Sequence, residues 1–200
     1  MGRWSVERKA GAILAAIALT EGSWVVVNVW VNPRGFLRYT GWLSAAPPLT
    51  GWISALVVAA AFTAFACRLP SVRANLFAVS WLKVLGLAVA LSAGFCEEAI
   101  FRKLLMDRLA REGVSLALQV LASGLAFGLV HGIWGAFRGS ITAAIGATVA
   151  TGVLGLALAA VYLASHRVLA PCIVSHLLIN ALAEPGLVLA AVRGEMGSST

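Results

Sequence analysis

Long apolar runs are the feature that most limits how this chain can fold. A helix that crosses a lipid bilayer needs about 20 consecutive apolar residues, and six stretches of the sequence are near that length. Only 12% of the residues are charged, against roughly 25% in a typical soluble domain, so a soluble fold would leave much apolar surface in water. Lipid accepts that surface, while each helix satisfies its own backbone hydrogen bonds. We therefore predict an all-α, polytopic transmembrane bundle of about six helices.

The predicted spans end where charged residues or prolines interrupt the apolar runs. They cover approximately residues 10–31, 51–67, 79–96, 114–131, 140–165 and 169–192. Residues 32–48, which include three prolines, are predicted to form a loop. The third run continues through residues 97–112 as a charged, amphipathic segment, whose residues 101–111 are predicted to extend that helix along the membrane surface. We predict one integral membrane domain over residues 1–200, with two N-terminal helices (10–67) and a functional core (79–192).

The positive charge of the chain is interpreted as a membrane feature. The formal net charge is +7, but the basic residues are scattered between apolar runs, which favours contacts with anionic lipid headgroups over nucleic-acid binding. They divide almost equally between the two membrane sides, so they predict no orientation. Arg3, Arg8 and Lys9 precede the first run without a convincing cleavage site, which indicates a retained first helix. Three cysteines without CxxC spacing are predicted to be small buried side chains: Cys67, Cys96 and Cys172.

Polar residues within the apolar runs are the candidates for function, because ionisable groups are costly inside a membrane. They form three clusters: Glu97, Glu98 and Arg102 in the third run, Phe127 and His131 in the fourth, and His176 and Asn180 in the sixth. Glu98 and Arg102 are four residues apart, so they share a helix face and are predicted to pair. Glu97 points about 100° away from Glu98. An unpaired carboxylate of this kind suits a general base.

The other two clusters also follow helical spacing. His176 and Asn180 project from one face, and Phe127 is predicted to pack beside His131. Two further carboxylates have open roles. Glu21 in the first run either lines a cavity or bonds a neighbouring helix, and Glu184 either extends the face of Asn180 or is a helix-end residue before Pro185.

Counting along the helices predicts that Glu97 and His131 meet. Glu97 lies 16 residues before Gly113, the predicted turn, and His131 lies 18 residues after it, so an antiparallel hairpin places both at a depth of about 25 Å. Gly124, Gly128 and Gly132 form a ridge that allows close helix packing beside His131. His176 is only nine residues past Arg167, so its predicted depth is smaller unless the fifth helix tilts, kinks near Gly152 and Gly155, or re-enters the membrane.

Together the three clusters resemble the signature of the CPBP family, which joins type II CAAX prenyl proteases with bacterial relatives linked to bacteriocin processing and self-immunity. The family pattern of EExxxR, FxxxH and HxxxN or HxxxD is matched in order by Glu97-Glu98-xxx-Arg102, Phe127-xxx-His131 and His176-xxx-Asn180. The match covers approximately residues 91–182. Lys103 departs from the glycine that is common after the arginine, but it lies outside the chemistry.

The resemblance implies an intramembrane peptidase with its active site inside the bundle. It implies that Glu97 and His131 activate a water molecule, that His176 and Asn180 stabilise the oxyanion, and that Glu98 and Arg102 orient the site, with Phe127 beside His131. The family has also been described as metalloproteases, in which Glu97, His131 and His176 would bind zinc. Because the sequence has no HExxH motif, we favour a glutamate-based mechanism without a cofactor and keep zinc as the alternative.

Two rival functions also fit a membrane bundle with buried polar residues. The main alternative is a non-catalytic membrane immunity or binding protein on the same scaffold. A proton-coupled carrier would predict inverted repeats, and we find none in the sequence. The expected partners are membrane lipid and a hydrophobic or membrane-anchored peptide substrate, whose identity the sequence leaves open. The expected location is a plasma membrane, of bacterial type by the resemblance.

Overall fold

The fold of the chain is an all-helical bundle, seen in a computed structural model that describes residues 5–138 and 140–196. Within these ranges, six helices are long and apolar enough to cross a membrane. In chain order they are α1 (Val6–Val31), α2 (Leu49–Ala66), α3 (Trp81–Arg111), α4 (Leu116–His131), α5 (Ile141–Ala164) and α6 (Ala170–Arg193). No strand occurs within the described ranges. The predicted polytopic helical fold is confirmed, while Arg3 of the basic N-terminal segment lies outside the described residues.

Short helices at the ends of the spans are where the prediction was incomplete. The segment 32–48 is not simply a loop, because it contains the helix Pro33–Tyr39. The side chain of Asn32 accepts a hydrogen bond from the backbone of Gly35, and Pro33 occupies the first helical turn, where no intrahelical N–H bond is lost. A second short helix covers Pro70–Asn75, and a 3₁₀ segment, Gly132–Arg138, follows α4.

The middle of α3 departs from regular α-helical geometry. Residues Ala99–Met106 form a π-helical segment directly after Glu98, and such segments are frequent at functional sites. The sequence contains no breaker here, so it predicted a continuous helix but not the change of winding. Phe101, Arg102 and Met106 are buried. One face of this part of α3 is therefore packed into the bundle, and its location at the membrane surface stays a prediction.

Helices α3 and α6 form the inner pair of the bundle. In their most apolar 18-residue windows, 56% and 61% of the residues are buried, compared with 17–28% in the other four spans. The outer helices present large apolar side chains outward, as expected for surfaces that face lipid. α3 and α6 run antiparallel and approach closely where Gly86 contacts Pro185, since a Cβ at Gly86 would overlap the proline ring.

A lysine repairs the hydrogen bonding of α6 at its internal proline. Pro185 has no N–H, so the carbonyl of Ala181 loses its helical partner. The ammonium of Lys83 on α3 donates to that oxygen at 3.0 Å and to the carbonyl of Leu182 at 3.1 Å. It also donates to the carbonyl of Leu76, before α3, at 2.9 Å. α6 therefore continues as a helix past Pro185 to Arg193.

The glycine ridge of α4 packs against α5, as predicted. A Cβ at Gly128 would lie 2.8 Å from the Cα of Gly152, and one at Gly124 would meet Leu156. Gly152 and Gly155 serve this close approach, and α5 has no break at either residue. The cysteines also agree with the prediction, since Cys96 and Cys172 are buried, Cys67 is half-buried, and all three are free thiols.

Candidate active site

The predicted encounter between helices α3, α4 and α6 is present in the structure. Oε2 of Glu97 lies 3.8 Å from Nε2 of His131 and 3.7 Å from Nε2 of His176. The side chains of Glu97 and His131 are 17% and 18% exposed, whereas His176 is 3% exposed. The three groups therefore form one cluster that is accessible at its Glu97–His131 side.

His176 reaches the depth of Glu97 because the α3–α4 hairpin projects beyond the turn between α5 and α6. Nη1 of Arg167, in that turn, lies 2.9 Å from Oδ1 of Asp107, so these two residues mark the same level of the bundle. Glu97 is ten residues before Asp107 and His176 is nine after Arg167, which gives depths of about 15 and 14 Å. The smaller depth predicted for His176 arose because the depth of Glu97 was counted from Gly113, which lies farther out than Arg167. No kink in α5 is required.

Glu98 connects the arginine of its own helix to the histidine of α6. Its Oε1 accepts a 2.7 Å hydrogen bond from Nδ1 of His176, and its Oε2 lies 3.2 Å from Nε of Arg102. Both charged side chains are fully buried, and Arg102 also donates to the carbonyl of Gly155 at 3.1 Å. The ion pair was predicted from spacing. The bond to His176 was not, because no pattern within one helix indicates a partner on another.

The second imidazole is oriented by its own helix. The carbonyl oxygen of Phe127 lies 2.8 Å from Nδ1 of His131, and since a carbonyl only accepts, Nδ1 carries the proton. The ring of Phe127 lies 4.4 Å from the ring of His131 and 5.8 Å from that of His176. The guanidinium carbon of Arg102 lies over the same ring, 4.7 Å from its centre. Phe127 thus buttresses both histidines, and each directs Nε2 toward Glu97.

An internal cavity of about 500 Å³ connects the predicted site residues. Glu97, His131, His176 and Asn180 all line it. Asn180 is buried one turn after His176, as the spacing predicted. The four residues to which catalysis was assigned from sequence therefore face one space.

Two carboxylates with open roles also face this cavity. Glu21 of α1 lines it and lies close enough to Glu97 to interact with its carboxyl group. Glu184 of α6 lines it two turns after Leu177, and because α6 continues beyond Pro185, the interpretation of Glu184 as a helix-end residue was wrong. Only tertiary packing brings Glu21 to this site, so no pattern in the sequence indicates that it approaches Glu97.

The rest of the cavity wall is mainly apolar. Along α6 the wall runs from His176 to Leu187, a length of about 16 Å. The opposite sides are formed by side chains from the other spans, including Ile17, Phe62, Val89, Val130 and Leu154. The cavity reaches the end of the bundle where Arg68 and Met196 lie. A mostly apolar space with a polar cluster at one end suits a hydrophobic ligand held by few oriented contacts.

The donor atoms have the types found in a zinc site with two histidines and one glutamate. Both Nδ1 atoms are donors, so a neutral imidazole at either position presents the lone pair of Nε2 toward Glu97. As the side chains stand, however, no group of three or more His, Cys, Asp or Glu residues in 5–138 and 140–196 is arranged to hold a metal ion. The chemistry of the donors matches zinc, while their placement does not form a complete ligand set.

Comparison with known proteins gives one family match. The family model described as type II CAAX prenyl endopeptidase Rce1-like matches residues 78–182, just over half of the 200 residues. The matched region contains all three polar clusters and the contacts between Glu97, His131 and His176. No curated protein and no solved structure matches the chain.

Proposed function

This chain belongs to the Rce1-like family of type II CAAX prenyl endopeptidases, and from that premise we propose that it hydrolyses a peptide bond of a hydrophobic or membrane-anchored substrate inside the bilayer. The observation that carries the proposal is the position of Glu97. Its Oε2 faces Nε2 of both His131 and His176 within 3.8 Å, at the polar end of a cavity enclosed by membrane-spanning helices. A protease needs a base, a water site and access for a peptide; in this proposal Glu97 is the base, and the cavity is the space for the water and the peptide.

In the proposed mechanism, Glu97 is the general base. Its carboxylate accepts a proton from a water molecule, and the lone pair of Nε2 on His131 accepts the second O–H, which orients the water. The oxygen then attacks the peptide carbonyl. Glu97 subsequently returns the proton to the leaving amine, so the products are two shorter peptides and the enzyme is regenerated.

The developing oxyanion would be stabilised from α6. The amide of Asn180 is one donor, and the Nε2–H of His176 is the other when that imidazole carries both protons. The carboxylate of Glu98 accepts from Nδ1 of His176 and is compatible with this form. Glu98, Arg102 and Phe127 are positioning residues, since their contacts are with the histidines and not with the reacting atoms.

The shape of the cavity supports a hydrophobic peptide as substrate. An extended chain rises about 3.3 Å per residue, so the wall from His176 to Leu187 has room for roughly five residues. Most of the side chains that line the cavity as a whole are apolar, and they would contact a substrate segment that is itself soluble in lipid. Apolar walls also exclude bulk water from the attacking position.

Zinc is the alternative to the cofactor-free route. A bound zinc ion would supply an activated water at neutral pH, with Glu97, His131 and His176 as the residues that hold it. The two routes require different forms of His176, because a metal needs the Nε2 lone pair and an oxyanion needs an Nε2–H. We favour the glutamate route because the sequence lacks HExxH.

The decisive experiment replaces the proposed base and compares peptide termini in cells. We expect Glu97→Gln, His131→Ala and His176→Ala each to reduce cleavage by about 100-fold or more, the range attributed to general-base catalysis, while the proteins still accumulate in membranes. Glu112→Gln is the control, since Glu112 is an exposed carboxylate at the end of the α3–α4 hairpin that pairs with Arg108. The readout is mass spectrometry of membrane and secreted peptides from cells with each variant.

Two outcomes would overturn parts of this proposal. Near-normal turnover by Glu97→Gln, or full rescue of the cellular phenotype by a Glu97→Gln, His131→Ala double variant, would favour a non-catalytic binding or immunity protein. Stoichiometric zinc in the active purified protein, lost together with activity on chelation, would replace the glutamate route with the metal-dependent one.

A further inference from the structure

A second cavity, also of about 500 Å³, lies at the opposite end of the bundle from Arg68. Its walls come from the short helix Pro33–Tyr39 and the loop after it, from the second half of α3, and from the turn between α5 and α6. These segments connect or end the membrane spans, and the ends of spans are where a membrane protein meets the lipid headgroups. Its basic lining residues are Arg38, Lys103, Arg111, His166 and Arg167, and we call it the basic pocket.

The basic pocket contains more positive charge than its own residues neutralise. Asp107 is the one acidic side chain among its described lining residues. Lys103 and Arg167 share that carboxylate, with N–O distances of 3.2 and 2.9 Å. For Arg38 and Arg111, no carboxylate lies within 4 Å in the described part of the chain. The pocket therefore has one anion for four permanent cations.

The nearby carboxylate of Glu112 does not reduce this excess. It pairs with Arg108 at 2.7 Å on the exposed end of α3, and neither residue lines the pocket. The charge of the basic pocket is thus separated from the neighbouring surface pair.

One of the four cations is fixed before any ligand arrives. His166 and Arg167 have positive φ angles of 52° and 62°, a backbone conformation that residues other than glycine rarely adopt. The backbone N–H of Arg167 donates to the carbonyl of Tyr162 at 2.9 Å, and its guanidinium bonds both Asp107 and the side-chain oxygen of Gln119. These contacts hold the turn and its arginine in place, which lowers the entropy lost on binding an anion.

The surroundings of the basic pocket favour a lipid as the source of that anion. Trp30 and Val31 at the end of α1 are 87% and 74% exposed, and Trp42 and Leu43 in the adjoining loop also have exposed side chains. A phospholipid can place its phosphate in the pocket and its acyl chains along such apolar surface. A soluble phosphate compound would use only the charged part.

We propose that the basic pocket binds the phosphate group of an anionic phospholipid, with Arg38 and Arg111 contacting it from the rim and Lys103 and Arg167 from the floor. The proposal is independent of the peptidase function, because no lining residue is shared with the cavity that contains Glu97. It also gives a role to Lys103, the residue that departs from the sequence pattern of the first polar cluster.

The test is lipid retention by the purified full-length protein in detergent, measured by native mass spectrometry. Phosphatidylglycerol and phosphatidylcholine with identical acyl chains are the two lipid probes, and inorganic phosphate is the soluble one. The rim variant is Arg38→Gln with Arg111→Gln, both at exposed positions. The matched control is Arg34→Gln with Arg108→Gln, which removes the same charge from exposed positions outside the pocket.

We expect the wild type to retain one phosphatidylglycerol in preference to phosphatidylcholine, the rim variant to bind it roughly 30-fold more weakly, and the control variant to bind it like the wild type. An equal loss in the control variant would overturn the proposal, because the effect would then be general surface charge. Equal retention of the two lipids, or inorganic phosphate binding as tightly as phosphatidylglycerol, would overturn it as well. Unchanged melting temperatures will show that the variants are folded.

Discussion

The two cavities have the same volume, about 500 Å³, and opposite chemistry. The inner cavity collects carboxylates and imidazoles, and beside it Arg102 is fully buried against Glu98. The basic pocket leaves two arginines without a carboxylate partner in the described chain. The difference follows position in the membrane, since a charge at mid-bundle depth requires a partner from the protein, whereas a charge at the boundary finds water and headgroups. One carboxylate organises the charged side chains at each place: Glu98 beside the inner cavity, through His176 and Arg102, and Asp107 in the basic pocket.

The largest effect is expected when the organising carboxylate of the inner cavity is neutralised. Glu98→Gln leaves the guanidinium of Arg102 buried without a countercharge, which should lower the free energy of unfolding by about 3–5 kcal/mol. The measurement is reversible denaturation in detergent micelles. Arg108→Gln is the control, because its exposed pair with Glu112 should contribute less than about 1 kcal/mol. A similar small loss in both variants would contradict the assigned difference between the two environments.

A smaller effect is expected for the corresponding change in the basic pocket. Asp107 is 22% exposed, so Asp107→Asn should cost only about 1 kcal/mol of stability despite its contacts with Lys103 and Arg167. Because the pocket then has no anion of its own, retention of phosphatidylglycerol should rise about fivefold. Weaker retention would mean that the geometry held by Asp107 matters more than its charge.

The smallest effect is expected when one cavity is altered and the function of the other is measured. The Arg38→Gln, Arg111→Gln variant should cleave peptide with a kcat/KM within about twofold of the wild type, since changes at separate sites without shared partners act independently. The assay uses detergent-solubilised protein with a quenched fluorescent hydrophobic peptide. A tenfold decrease would show that the cavities are coupled.

The sequence predicted contacts along a helix much better than contacts between helices. The pairing of Glu98 with Arg102 and the packing of Phe127 on His131 follow from a spacing of four residues, which every α-helix translates into a shared face. The bond between Glu98 and His176 depends on the register of α3 against α6. Asp107 and Arg167 mark that register, and no periodicity in the sequence indicates that they meet.

Local changes of helix winding and contacts between distant spans could not be predicted from composition either. The six spans were recognised because each contains a long apolar run, but the π-helical segment Ala99–Met106 has no composition that separates it from α-helix. Glu21 was recognised as unusual because it interrupts such a run, and only the packing of α1 against α3 brings it to Glu97. The roles assigned to Glu97, His131, His176 and Asn180 in catalysis stay predictions until their variants are assayed.

The hydrogen bonds from Lys83 to α6 limit how that helix can bend. An internal proline ordinarily weakens a helix enough for it to bend there, and in α6 that bend would fall between Asn180 and the far wall of the inner cavity. The ammonium of Lys83 on α3 donates to two carbonyls of α6 just before Pro185. The two helices are therefore joined at the point where α6 would otherwise bend. Glu97 on α3 and His176 and Asn180 on α6 would therefore keep their relative positions while a substrate enters between the outer helices.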